Sequence, residues 1–241
     1  MNAIEIKALT KKYGKTVAVD SLDLTVKKGE FFSLLGQNGA GKTTTIKMLG
    51  CLARPTSGDA FLLGNSIISD EQKVKQIISI SPQETAVAPN LTVKENLEFL
   101  AKIYGFNKKQ AAQRAKDLME KLALSEKAKE KAKTLSGGMQ RRLSIAMALI
   151  SDPEIIFLDE PTIGLDVRAR RELWELIKSF KGQKTLVLTT HYLEEAQALS
   201  DRIAIMHAGK IKALGTTDQL LEQTKQNSLE DAFLMLTEEV Q

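Results

Sequence analysis

Apolar and polar positions change rhythm three times along this chain of 241 residues. At the start, Ile4, Ile6 and Ala8 alternate with charged or polar neighbours. Val17, Val19, Leu22, Leu24 and Val26 extend the spacing of a half-buried strand. The short apolar run FFSLL ends on Gly36, and a helix is predicted from about residue 42 to 51. Turn-forming residues dominate 53–59, and a short strand follows at 60–63. From about 91 to 133 the pattern becomes helical and rich in lysine. Thr92 is placed to cap the segment VKENLEFLAKIYG, with Glu95 three residues later as in a capping box. Gly105 closes that helix, 108–122 forms the next, and another runs from Ser136 to about Ile150. Beyond it, the strands EIIFLD, TLVLTT and DRIAIM alternate with the helical segments RRELWELIKSF and YLEEAQAL. The tail NSLEDAFLMLT reads as a short amphipathic helix. Residues 155–158 and 185–188 suit strands buried on both faces, as parallel strands are. The pattern predicts an α/β core interrupted by a helical insertion, without internal repeats.

Composition narrows the class. Hydrophobic residues at 43% and charged residues at 27% are ordinary for a soluble globular chain long enough to bury a substantial core. A net charge of +4 permits contact with anionic surfaces, and no nucleic-acid partner is expected from it. The basic residues are unevenly placed: 102–133 holds ten Lys or Arg against four Asp or Glu. That segment reads as a solvated helical face, or as a face turned toward an anionic leaflet. The single cysteine, Cys51, has no partner for an internal disulfide, which fits a reducing compartment. No apolar run approaches the roughly 20 residues of a bilayer span, so any membrane role is expected to come through a partner. The N-terminal segment also lacks the uninterrupted apolar core of a signal peptide.

Candidate chemistry begins at GQNGAGKT, which fits G-x-x-x-x-G-K-[ST] between a strand and a helix. Gly36, Gln37, Asn38, Gly39, Ala40 and Gly41 would wrap backbone N–H groups round phosphates, with Thr44 one residue into the helix. Lys42 would neutralise the β- and γ-phosphates, and the Thr43 hydroxyl would ligate Mg²⁺. The strand EIIFLDE delivers Asp159 to its carboxyl end, where it can hold Mg²⁺ through water. Glu160 follows at the tip, placed to orient or deprotonate an attacking water. His191 ends the strand TLVLTTH and is a candidate contact for the γ-phosphate; the alternative is a polar residue leaving the sheet. A second glycine pair, in LSGGMQRR, resembles an anion grip but lacks a lysine. Taken alone, it is equally a serine-capped helix entry.

The motifs, taken in order, resemble the ATP-binding cassette family over nearly the whole chain. Tyr13 in KKYGK resembles the family's adenine-stacking aromatic, and GQNGAGKT its Walker A loop. Gln83 in SISPQE matches the glutamine that links Mg²⁺ to the transmembrane partner. Leu135, Ser136, Gly137, Gly138 and Met139 match the signature, with methionine where glutamine is commoner. IIFLDEP matches Walker B with its glutamate, Asp166 in GLD the D-loop aspartate, and His191 the switch histidine.

The resemblance implies a P-loop NTPase core with a mostly parallel sheet, an N-terminal antiparallel β subdomain and an inserted α-helical subdomain. In rough boundaries, 1–90 and 154–220 form the core with its β subdomain, 91–153 the signature subdomain and 221–241 a C-terminal helix. It implies an ATPase using Mg²⁺, with two cassettes pairing head to tail so that each signature faces the ATP held by its neighbour. The partners implied are a second ABC subunit, identical or related, and integral membrane permease subunits docked near residues 84–104 at the cytoplasmic face of the membrane. LTVKENLEFLAKIYG, PTIGLD and SLEDAFLMLT resemble cassettes of the drug, lantibiotic, polysaccharide and sodium exporter group. An importer motor or a soluble ATP-driven switch is the alternative.

Overall fold

The structure is a computed structural model that describes residues 1–238. Its first half holds β1 (Asn2–Tyr13), β2 (Thr16–Lys27), β3 (Phe31–Leu35), α1 (Lys42–Leu49), β4 (Ser57–Leu62), β5 (Asn65–Ser66), α2 (Glu71–Ile77) and β6 (Ile78–Ser81). Three helices follow: α3 (Val93–Ile103), α4 (Lys108–Lys121) and α5 (Gly137–Leu149). The remainder is β7 (Ile155–Asp159), α6 (Val167–Lys178), β8 (Thr185–Thr190), α7 (Leu193–Leu199), β9 (Arg202–His207), β10 (Lys210–Gly215), α8 (Thr217–Thr224) and α9 (Leu229–Thr237).

Two sheets organise these elements. An antiparallel sheet has the order β2-β1-β4-β5, and a six-stranded sheet the order β10-β9-β3-β8-β7-β6. In the larger sheet every neighbouring pair is parallel except β10 with β9. Burial explains the parallel centre: all residues of β3, β7 and β8 are buried. Their alternate side chains enter different cores. Phe31, Ile156, Leu158, Leu186 and Leu188 pack with the helices of the insertion. Phe32, Phe157 and Val187 pack with the antiparallel sheet. Fully burying one such side chain contributes about 1.5–3 kcal/mol, so both faces must be covered for the sheet to persist.

The inserted helices carry local capping contacts of their own. Glu95 N donates to Thr92 Oγ1 at 3.1 Å, and Thr92 N donates to Glu95 Oε2 at 2.8 Å, closing the capping box. Gly105 takes φ +87° just beyond α3, a left-handed turn that suits glycine. Within the basic segment, Lys127 pairs with Glu130.

Several elements depart from the sequence pattern. β4 begins at Ser57, inside the segment read as a turn, because pairing with β1 outweighs the local turn propensity. The pattern does not reveal α2 or β6: β6 is four residues long and pairs only with β7 at the sheet edge. Nor does it reveal β10 or α8. The single helix expected at 221–241 is two helices, since α8 ends at Thr224, with Lys225 turning into the left-handed region, and α9 starts after Ser228. Residues 239–241 of that expectation lie outside the described residues. Among the described residues no helix is long and apolar enough to cross a membrane.

Candidate active site

Three neighbouring parallel strands, β3, β8 and β7, end on the same edge and deliver Gly36, His191 and Glu160 together. The loop after β3 is anchored by Gly36 N, which donates to Thr190 O at 3.2 Å. Two of its glycines are sterically required. A Cβ on Gly36 would stand 2.4 Å from Met206 O, and one on Gly41, at φ +106°, would stand 2.5 Å from Ala18 O. No side chain caps the start of α1, so its first N–H groups remain available to an anion.

Lys42 reaches back across this loop. Its Nζ donates to Gly36 O at 2.7 Å and Gln37 O at 3.3 Å, and pairs with Glu160 Oε1 at 3.1 Å. Both side chains of that pair are 5% exposed, so the two charges compensate one another where water scarcely reaches. The other oxygen of Glu160, Oε2, lies 2.7 Å from His191 Nδ1. Glu160 itself has φ +48°, a conformation unfavourable for a non-glycine residue. Its N–H is held by Thr189 Oγ1 at 3.1 Å. Asp159, also buried, accepts from Thr43 Oγ1 at 3.2 Å and from the Thr189 hydroxyl.

A cavity of about 480 Å³ opens over Lys42, Thr43 and Glu160, while Gly36, Gln37, Asp159 and His191 lie outside its lining. It is lined by Asn38, Gly39, Ala40, Gly41, Lys42, Thr43 and Thr44 from the loop and helix start, with Tyr13, Gln83 and Glu160 around them. Tyr13 is half exposed, which leaves ring surface available for stacking. Thr43, Asp159 and Gln83 offer hydroxyl, carboxylate and amide oxygens. This hard donor set fits Mg²⁺, which keeps positions for water and phosphate oxygens. Among the described residues no group of three or more His, Cys, Asp and Glu forms a metal cage of its own.

The structure does not bring every candidate residue into this cavity. Leu135 is buried, and Ser136 is the exposed N-cap of α5, its hydroxyl 3.4 Å from Met139 N. A Cβ on Gly137 would meet nothing within 4 Å, whereas one on Gly138 would touch Ala169 at 3.3 Å. Met139 packs, partly buried, against the core of the insertion. Asp166 caps α6, accepting from Ala169 N at 2.8 Å. None of these five signature residues, nor Asp166, lines the cavity.

Two buried charged residues next to the site are absent from the motif reading. Arg141, on α5, reaches the backbone of the Gln83 segment and of the Asp159 turn. Glu195, on α7, accepts from Trp174 Nε1 at 3.0 Å. A signal for Arg141 does exist in the pattern: it shares a helix face with the buried Ser144, Ile145 and Ala148, where a solvated arginine has no place.

Strand, glycine loop and helix, with a carboxylate ending a nearby parallel strand, define a P-loop nucleoside triphosphatase. A family profile described as ABC transporter matches residues 19–163. The daunorubicin/doxorubicin resistance ATP-binding protein DrrA of Streptomyces peucetius is 42% identical over 228 residues, covering 94% of this chain and 69% of that protein. A Nod factor export ATP-binding protein I of Cupriavidus metallidurans is 40% identical over 220 residues, covering 91% and 73%. Among solved structures, an ATP-binding subunit of an ABC transporter superposes with a TM-score of 0.86 at 28% identity, covering 98% of this chain and all of that one. A dimeric ATP-binding cassette in a post-hydrolysis state, bound to ADP and Pi, superposes with a TM-score of 0.79 at 30% identity, covering 88% and 98%. The chain belongs to the ABC transporter family.

Proposed function

We propose that the chain is the ATP-binding and ATP-hydrolysing subunit of an exporter, working as one half of a head-to-tail pair on separate membrane permease subunits. The observation that carries the hydrolytic reading is Glu160, held at a strand end between Lys42 and His191. The loop N–H groups and Lys42 bind the β- and γ-phosphates, and Tyr13 offers its ring to the base. Thr43, Asp159 and Gln83 would hold Mg²⁺, which would supply charge neutralisation to the bound phosphates. Glu160 takes the proton of the attacking water, and the products are ADP and phosphate. Contact with Glu160 orients the His191 ring. Thr189 keeps both acidic residues in register, its hydroxyl donating to Asp159 Oδ1 and accepting from Glu160 N.

Pairing is supported by the signature. Ser136 is exposed at a helix start, and the space beside Gly137 is open, although neither faces the cavity of its own chain. A second chain's γ-phosphate would meet those donors. The similarity to a dimeric cassette supports the same reading. Export is supported by the functions for which the two relatives are named, drug resistance and Nod factor export. Phe99, Ile103 and Tyr104, exposed around the end of α3, offer an apolar surface for a permease at the cytoplasmic face of the membrane.

Glu160→Gln tests the core of the proposal. The variant is expected to bind ATP as the parent does, to hydrolyse it at least ~10²-fold more slowly, and to elute as a dimer with ATP and Mg²⁺ on a sizing column. Elution as a monomer under those conditions defeats the head-to-tail model for the isolated subunit.

A further inference from the structure

Arg141 sits one turn into α5, behind the signature, and is 3% exposed. Its guanidinium spends its donors on main-chain carbonyls of two separate segments. Nε donates to Pro161 O at 2.7 Å and Nη2 to Asp159 O at 2.7 Å, on either side of Glu160. Nη1 donates to Pro82 O and, at 3.2 Å, to Gln83 O. A planar fork with fixed donor directions can hold two chain segments at a set separation, which a single flexible ammonium cannot. Burial pushes the Arg141 pKa down to about 10, while the carboxylates of Asp159, Glu195 and Glu160 oppose that shift, so the group remains charged at neutral pH.

The tethered segments are those that carry the metal and water chemistry. Glu160 has φ +48° and forms the turn between the two carbonyls that Arg141 holds, so its unfavourable backbone is braced from both sides. Gln83 lines the cavity from a loop, and Arg141 holds that loop by its carbonyl. A hydrogen bond between Ser81 and Ser144 at 3.2 Å ties the same loop's base to the same helix.

We propose that Arg141 is a positioning residue that fixes Gln83 relative to the Asp159–Glu160 turn of its own chain, and thereby sets the geometry of the Mg²⁺ and water positions. It touches neither position itself. The proposal deepens the site reading above and rests on it.

The full chain carrying Arg141→Lys or Arg141→Gln tests it, with three readouts. Affinity for a fluorescent ATP analogue without Mg²⁺ depends on the loop and Lys42, and is expected to stay within about twofold of the parent. The turnover number at saturating ATP is expected to fall about tenfold or more in both variants, the scale of losing a supporting contact around a metal. The Mg²⁺ concentration for half-maximal hydrolysis is expected to rise, with Lys rescuing neither quantity. A parallel loss of Mg²⁺-free affinity and turnover, with an unchanged Mg²⁺ requirement, makes Arg141 a structural residue and overturns the proposal. So does full activity in Arg141→Lys, or loss of the fold in both variants as judged by circular dichroism. A parent chain that binds ATP but never hydrolyses it overturns the site reading as well.

Discussion

Glu195 shows how a residue outside every motif can govern behaviour near the site. It is fully buried, and among the described residues its Oε2 has no hydrogen-bond partner, while Oε1 accepts from Trp174 Nε1. Burial raises its pKa above the ordinary 4.5. The neighbouring donors of Thr190, Thr162 and Trp174 work against that rise, and the charge of Glu160 reinforces it. Because the folded state binds the proton more tightly than the unfolded chain, stability from the neutral acid is complete below about pH 4.5. It is lost as pH rises through the raised pKa. Glu195→Gln keeps an acceptor for Trp174 and cannot ionise. The parent's Tm is expected to fall more steeply than the variant's as pH rises above about 4.5. Superimposable Tm profiles would show that Glu195 does not titrate in the fold.

At the scale of elements, two helix starts that look alike in sequence differ in what they do. Thr92 and Glu95 exchange three hydrogen bonds and stabilise α3 from within. Ser136 caps α5 with a single long contact and stands exposed. Thr92→Ala is expected to cost about 1 kcal/mol in denaturant unfolding without slowing hydrolysis of the folded protein. Ser136→Ala is expected to cost about 0.5 kcal/mol, yet to slow hydrolysis by ~10²-fold, as loss of a donor to developing charge does. Equal stability losses with unchanged hydrolysis in both would reduce Ser136 to an ordinary cap.

For the whole molecule, the separation between cavity and signature is the feature with the largest consequence. One chain holds the loop residues from Asn38 to Thr44, Gln83 and Glu160 around one cavity, and presents Ser136 elsewhere. Mixing a Lys42→Ala chain with a Ser136→Ala chain therefore places both lesions in one composite site and leaves the other whole. Hydrolysis by the mixture is expected to exceed that of either variant alone. A mixture no faster than the average of the two would mean that each signature serves its own chain.

The sequence by itself determined the strand–loop–helix grip, the buried parallel strands and the capping box at Thr92. Each rests on neighbouring residues whose spacing encodes its geometry directly. The placement of Asp159, Glu160 and His191 at strand ends was legible for the same reason. Only the tertiary structure decided that β3, β8 and β7 lie side by side, which brings Lys42 within 3.1 Å of Glu160 across more than a hundred residues. It also decided the short edge strand β6, whose pairing is supplied by β7 and not by its own weak pattern. Arg141 and Glu195 belong to the same category. A charged residue on an apolar face signals burial, but its partners are main-chain carbonyls and an indole distant in sequence, and no local spacing specifies those.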